Sequence, residues 1–195
     1  NTDLKKRIKT TNGFVVTTIN EDENDSFVEH ESDDSVEEED EIIDENLENS
    51  EWKSLSIPNS IISSLLKSNM KTPTEIQKLT IPPAINERQH IFGAAPTGSG
   101  KTLAFAIPLI TNILQDRKLD KNCKYLRALV LTPTRELAVQ IKKHIEQITK
   151  KTGIQTALVV GGLAIQKQER ILERFQPEIV VATPGRFWQI LESCK

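Results

Sequence analysis

The sequence lacks the features typical of disulfide-rich secreted proteins, zinc proteins and membrane proteins. Only two of its 195 residues are cysteines, Cys123 and Cys194, and they form neither a disulfide framework nor a zinc spacing. We expect two ordinary thiols in a reducing compartment. The sequence also shows no signal-peptide pattern and no apolar run near the roughly 18 residues of a membrane span. These absences predict a soluble intracellular protein. Because the sequence starts at Asn1 rather than at a methionine, we also expect its true N-terminus to be missing.

Charge is distributed unevenly along the chain. Residues 1–50 carry 17 acidic and 4 basic side chains, whereas residues 51–195 carry 11 acidic and 21 basic ones. The first segment is poor in aromatic residues, and its apolar surface is too small to offset the entropy lost on ordering. We therefore predict a disordered acidic arm over residues 1–50 and one folded domain over residues 51–195. A basic folded part indicates an anionic partner.

A glycine-rich stretch organises the predicted domain. It runs Ala95, Pro96, Thr97, Gly98, Ser99, Gly100, Lys101, Thr102. The apolar residues 91–94 before it predict a strand, and the pattern after it predicts a helix, which is the setting of a phosphate-binding loop. Glycines let successive N–H groups turn towards a polyphosphate. The lysine adds a charge for the β- and γ-phosphates, and the last hydroxyl is placed to ligate Mg²⁺. We predict a nucleotide site, although Ala95 replaces the usual first glycine.

Apolar runs alternate with helical patterns over the rest of the domain. Strands are predicted at 125–131, 154–160 and 178–182 with helices between them, which indicates an α/β fold whose parallel sheet is covered by helices. The first of these strands is apolar enough to be covered on both faces. Pro108 is expected to kink or shorten the helix that follows the glycine-rich loop.

Three polar turns follow the predicted strands. They are Pro133-Thr134-Arg135, Gly161-Gly162 and Thr183-Pro184-Gly185-Arg186. Ligands of open parallel sheets bind beyond the carboxyl ends of the strands. Exposed N–H groups and two arginines could follow a phosphate backbone there without reading bases. Ordinary connection chemistry is the alternative for any one of these turns.

These segments, taken in order, resemble five motifs of DEAD-box RNA helicases. Residues 73–77 resemble the Q motif, 95–102 motif I, 133–138 motif Ia, 161–162 the GG doublet and 183–186 motif Ib. The likeness runs from about Trp52 to the end of the chain. It implies the first of two RecA-like domains, which in such helicases close together on ATP and single-stranded RNA and separate a short duplex locally.

The resemblance assigns roles to individual residues. Gln77 would read the adenine edge, although taken alone it could be only a helix cap paired with Thr74, with Thr72 and Glu75 as an alternative pair. The ATP set implied is Trp52, Met70, Thr74, Gln77, Ala95, Thr97, Gly98, Ser99, Gly100, Lys101 and Thr102, of which Lys101 and Thr102 act in catalysis and Thr102 ligates Mg²⁺. The RNA set implied is Pro133, Thr134, Arg135, Gly161, Gly162, Thr183, Gly185 and Arg186.

Two departures from the family pattern affect this expectation. Asn69-Met70 stand where the family has glycine and an aromatic residue, so Met70 would give adenine a weaker contact. The sequence also ends at Lys195, before the DEAD motif, and lacks the second domain. Since positioning and charge supply most of phosphoryl-transfer catalysis, we expect this stretch alone not to turn over ATP although the complete protein does.

A narrower resemblance concerns a nucleolar branch that serves assembly of the large ribosomal subunit. It rests on Gly93-Ala94-Ala95, on residues 103–108 and on Phe187-Trp188. It implies pre-ribosomal RNA as partner and a nucleolar location. We also predict a monomer without a membrane partner. Two alternatives stay open, namely a related helicase or translocase that acts on DNA and a non-catalytic RNA-binding scaffold that retains the fold.

Overall fold

Three short parallel strands form the sheet of the computed structural model, which describes Leu47, residues 49–119 and residues 125–193. Both cysteines and most of the predicted acidic arm lie outside these residues. The elements, in chain order, are a 3₁₀ helix Glu51–Leu55, α1 Asn59–Lys67, α2 Glu75–Asn86, α3 Lys101–Leu119, β1 Ala128–Leu131, α4 Arg135–Thr149, β2 Thr156–Val159, α5 Ile165–Phe175, β3 Ile179–Ala182 and α6 Pro184–Ser193.

The strand order is β1-β3-β2, so the last strand in sequence is central. Ile179 pairs with both Ala128 and Thr156, and the register continues to Ala182 on both sides. All four residues of β3 are buried, as expected for a strand paired on two sides and covered on both faces. The predicted parallel α/β architecture is confirmed.

The strand predicted at residues 91–94 does not form. These residues are exposed, and Phe92 is fully so. A strand needs the backbone of a neighbour, and the described sheet offers none to this segment. The prediction relied on apolar composition, which cannot supply that neighbour.

The prediction that the strand at residues 125–131 is covered on both faces is also wrong. Alternate residues of β1 are exposed, Leu129 at 39% and Leu131 at 53%. One face of β1 is therefore open, and its outward side chains form an apolar surface. The strand order also makes β1 an outer strand of the described sheet.

The helices bury apolar stripes against the sheet and one another. α4 contributes Ala138, Ile141, Ile145 and Ile148, which recur at helical spacing because one face of the helix is turned inward. The shortening expected at Pro108 does not occur, since α3 runs without interruption from Lys101 to Leu119 with that proline buried inside it. No described helix is long and apolar enough to cross a membrane.

The core extends upstream of the predicted domain boundary. Leu47, three residues inside the segment predicted as an arm, is buried and belongs to the main hydrophobic cluster. Burying an apolar side chain of this size contributes about 1.5–3 kcal/mol. The folded part therefore includes at least one residue before Glu51.

An ion cluster ties the amino end of β3 to α3. Arg117 donates to both carboxylate oxygens of Glu178, with Nε to Oε1 at 2.6 Å, and also to the carbonyl oxygens of Thr152 and Gly153. Arg127 Nε lies 3.6 Å from the same carboxylate, and only 4% of its side chain is exposed. Glu178 thus joins three elements at the edge of the sheet opposite the glycine-rich turns.

We predict that Glu178→Gln lowers the free energy of unfolding by about 2 kcal/mol, because it removes the charge that two mostly buried guanidinium groups share. Glu51→Gln is the matched control. It breaks the exposed pair with Lys78, so a change below about 0.5 kcal/mol is expected. Urea denaturation measures both, and equal losses would contradict a special role for Glu178.

Candidate nucleotide and nucleic-acid site

The glycine-rich stretch forms a tight turn that opens α3 at Lys101. Gly98 and Gly100 have φ angles of 83° and 91°, in the left-handed region where side chains are disfavoured. The first N–H groups of a helix have no partner within the helix, and the helix dipole favours negative charge at that end. The turn therefore has the backbone geometry of an anion-binding site.

Lys101 folds back over this turn. Its Nζ lies 2.6 Å from the carbonyl oxygens of both Ala95 and Pro96. An ammonium group satisfied by two neutral carbonyls remains available to a phosphate, because a charge-assisted bond to an anion is stronger. The lysine is thus at the mouth of the turn.

Gln77 joins α2 to the same turn. Its Oε1 accepts from the N–H of Thr74, at 2.8 Å, in a capping-box arrangement, and its Nε2 donates to the carbonyl of Gly100 at 3.0 Å. The side chain is only 2% exposed. Of the two capping pairs left open by the sequence, the structure has Thr74 with Gln77. An amide can form more than these two bonds, so the arrangement leaves one N–H and one lone pair for a ligand.

Gly100 has no room for a side chain. A Cβ there would overlap the amide nitrogen of Gln77 and would lie 2.9 Å from Thr74 Oγ1. Glycine is therefore required twice, for the left-handed backbone and for the close approach of α2. The residues that cap α2 therefore pack directly against the glycine-rich turn at Gly100.

Trp52 lies in the hydrophobic core. It is 1% exposed within the core, and its Nε1 donates to the carbonyl of Met70 at 2.9 Å. The Met70 side chain packs against the same core. Trp52 therefore fixes the segment before Pro73, and its part in the nucleotide set stays a prediction.

The remaining residues of the predicted nucleotide set lie around the turn. Thr97 and Gly98 are exposed, whereas Ser99 and Thr102 are half-buried. Ser99 Oγ is buried without a hydrogen-bond partner among the described residues. The described part of the chain also has no cluster of three metal-ligating side chains. The chemistry available here for Mg²⁺ is the Thr102 hydroxyl together with phosphate oxygens and water.

The three polar turns lie side by side at the carboxyl edge of the sheet. The Thr132 N–H donates to Ala182 O at 2.9 Å, and the Thr183 N–H donates to Val159 O at 3.0 Å. These bonds tie the end of β1 to β3 and the end of β3 to β2. The predicted RNA contacts thus share one edge.

Arg135 spans two of these turns. It begins α4 after β1, yet its guanidinium lies against Gly162 at the end of β2, where a Cβ would overlap it. Gly162 has a φ of 86°, whereas Gly161 and Gly185 have open space where a side chain would lie. The arginine therefore crosses the end of β3 and brings positive charge to the middle of the edge.

The other members of the predicted RNA set are accessible. Pro133, Thr134 and Gly185 are exposed, while Thr183 and Arg186 are half-buried. Thr134 also caps α4, since its Oγ1 accepts from Leu137 N–H at 3.2 Å. Accessible N–H groups at helix starts and two arginines give the edge the features of a phosphate-contacting surface.

Sequence reasoning missed Gln168, a buried amide in α5 that bonds to both sides of the glycine doublet. A signal was present. Ile165, Ile171 and Leu172 mark the inward face of α5, and Gln168 is the polar residue on that face.

A parallel α/β domain whose glycine-rich turn opens a helix, with a lysine at the first helical position, is a P-loop nucleotide-binding domain. The family model for the DEAD/DEAH box helicase matches residues 74–195, more than half of the chain. The chain belongs to this family, and its fold is RecA-like.

Similar proteins agree with this assignment. The chain is 45% identical to the ATP-dependent RNA helicase mak5 of Schizosaccharomyces pombe over 157 residues, which cover 80% of the chain and 23% of that protein. It is 41% identical to DEAD-box ATP-dependent RNA helicase 13 of Oryza sativa subsp. japonica over 156 residues, which cover 73% and 19%. The chain therefore spans about a fifth of the length of these curated relatives.

Solved structures give the same family. The yeast DEAD-box splicing factor Prp28 is 33% identical with a TM-score of 0.59, over 70% of this chain and 33% of its own. The structure of Mss116p bound to ssRNA and AMP-PNP is 28% identical with a TM-score of 0.66. The match covers 75% of this chain and 29% of the Mss116p chain.

Gly100→Ala should weaken ATP binding by about tenfold or more, because a left-handed backbone costs a side-chain-bearing residue about 1–2 kcal/mol and the added Cβ displaces Gln77. Gly93→Ala is the control, since its Cβ would make only an ordinary 3.7 Å contact with Ile76. A fluorescent ATP analogue reports both affinities. Wild-type affinity in Gly100→Ala would show that the contact with Gln77 is dispensable.

Gly162→Ala should weaken single-stranded RNA binding by about tenfold, because the new Cβ forces the Arg135 guanidinium away from the edge. Gly161→Ala adds the same methyl group to the same doublet in open space, so it should bind as wild type does. Fluorescence anisotropy with a labelled oligonucleotide measures the difference. Equal affinities of the two variants would exclude this position for Arg135.

Proposed function

We propose that the complete protein is an ATP-dependent RNA helicase of the DEAD-box type, which binds ATP and the single-stranded RNA backbone to remodel RNA or RNA–protein complexes. The observation that supports this most is the placement of two anion-binding arrangements in one domain. One is the turn of residues 95–102 at the start of α3, and the other is the row of three turns at the carboxyl edge of the sheet.

ATP would bind at the turn before α3. Gly98, Gly100 and the start of the helix would hold the phosphates, Lys101 would leave its two carbonyls for them, and Thr102 would ligate the accompanying Mg²⁺. Gln77 would read adenine with the hydrogen-bonding capacity that Thr74 and Gly100 leave unused. Its contact with Gly100 would couple base recognition to the position of the phosphates.

RNA would lie along the edge formed by the three turns. Thr134, Gly162, Gly185 and their neighbours offer N–H groups, and Arg135 adds charge at the centre. Contacts of this kind bind any sequence, since phosphates carry no base information. The similar solved structures of Mss116, bound to ssRNA with UDP-BeF or AMP-PNP, support a site for both ligands in proteins of this fold.

We place the protein in the nucleolus, where it would act as a monomer on pre-ribosomal RNA with a second RecA-like domain. The support is the resemblance of residues 93–95, 103–108 and 187–188 to the ribosome-assembly branch. The basic balance of residues 51–195 suits an RNA partner of this kind.

The test is ATP hydrolysis by the full-length protein with and without single-stranded RNA, beside Lys101→Ala and Gln77→Ala and with GTP as competing nucleotide. We expect RNA to stimulate turnover of ATP but not of GTP. Both variants should lose the stimulation, Lys101→Ala through the phosphates and Gln77→Ala through the base.

Other outcomes separate the alternatives. RNA binding without stimulated hydrolysis would contradict a helicase and favour a scaffold that retains the fold. Stimulation by single-stranded DNA to the same extent as by RNA would favour a translocase without RNA preference. Unchanged turnover in Gln77→Ala would remove its role in adenine recognition.

A further inference from the structure

Gln168 is a buried amide that none of the proposed ligand contacts uses. It lies on α5, is 2% exposed, and directs its side chain at the segment between β2 and α5. Its Oε1 accepts from the N–H of Val160 at 3.1 Å, and its Nε2 donates to the carbonyl of Val160 at 3.0 Å. A longer bond of 3.4 Å joins Nε2 to the carbonyl of Leu163.

These bonds occupy the side of β2 on which the described sheet has no further strand. β2 is the outer strand of the order β1-β3-β2, and Val159 directs its carbonyl towards β3, where Thr183 N–H donates to it. The next residue, Val160, therefore directs its N–H and carbonyl to the open side of the sheet. Buried backbone groups need partners, and one glutamine amide supplies both a donor and an acceptor there.

The same side chain fixes the glycine doublet from both ends. Val160 immediately precedes Gly161, and Leu163 immediately follows Gly162, so the turn is enclosed between the two residues that Gln168 binds. Gly162 is also the residue against which the Arg135 guanidinium lies. A shift of the turn would move the surface that holds this arginine.

We propose that Gln168 is a positioning residue for RNA binding, and this role rests on the function proposed above. It does not contact RNA. It holds the Gly161–Gly162 turn in the position in which the backbone N–H groups of the turn and Arg135 can both contact the RNA phosphate backbone. An amide that only anchored the start of α5 would need no more than the bond to Leu163, which lies beside the helix N-cap, whereas Gln168 also bonds to Val160 on the far side of the doublet.

The test compares three variants of the full-length protein for single-stranded RNA affinity, ATP affinity and backbone hydrogen exchange over residues 160–163. Gln168→Met keeps the length of the side chain and removes all three hydrogen bonds. Gln166→Met makes the same change at an exposed position of α5. Ile145→Val loosens the buried core of α4 away from the turn.

We expect Gln168→Met to weaken RNA binding by about tenfold, to leave ATP affinity within about twofold, and to speed exchange at residues 160–163. Gln166→Met and Ile145→Val should keep wild-type affinity for both ligands. Should Gln168→Met not fold, Gln168→Glu serves instead, since it keeps the acceptor for Val160 N–H and removes the donor. Gln168→Glu should also lower the affinity for RNA.

Three results would overturn the role. Faster exchange at residues 160–163 with unchanged RNA affinity would show that the turn need not be fixed. Equal losses of RNA and ATP affinity in Gln168→Met would show a general structural defect. If the wild-type protein binds no RNA, the proposed function itself fails, and that failure is visible before any variant is compared.

Discussion

The two parallel ladders of β3 are the constraint on which the site depends. Because β3 pairs with β1 and β2 in the same register, all three strands end at the same level, and the chain leaves each strand at one edge. Helices α4, α5 and α6 start there, with their N–H groups directed outward. The anion-binding character of the edge thus follows from topology, and the arginines add charge to it. At the opposite edge, Glu178 and Arg117 hold the sheet to α3.

The nucleotide turn depends on a second contact, between Gln77 and Gly100. This bond joins the start of α2 to the start of α3, and it is possible only because Gly100 lacks a side chain. A ligand that draws on the glutamine amide would therefore also act on the carbonyl of the phosphate turn. In the proposed ATP site, this contact joins the group that would read adenine to the turn that would hold the phosphates.

Much of this arrangement could be predicted from local patterns. Strands β1, β2 and β3 lie within the predicted runs, because apolar segments bounded by turn residues determine them locally. The missing strand at 91–94 and the open face of β1 could not be predicted, since each depends on which neighbours the sheet offers. The burial of Trp52 and the bonds of Gln168 to both sides of the glycine doublet depend likewise on tertiary packing. Spacing places Gln168 on the inward face of α5 but does not specify its partners.

The most direct measurement is photo-crosslinking of a uridine-rich single-stranded RNA to the full-length protein with ATP present, followed by mass spectrometry of the cross-linked peptides. The account predicts cross-links at residues 132–135, 160–163 and 183–186, the three turns at the carboxyl edge of the sheet. Their joint loss on raising the salt concentration is expected for contacts to phosphates. Cross-links confined to other surfaces, such as the exposed side of α1 or α2, would contradict the proposed RNA edge.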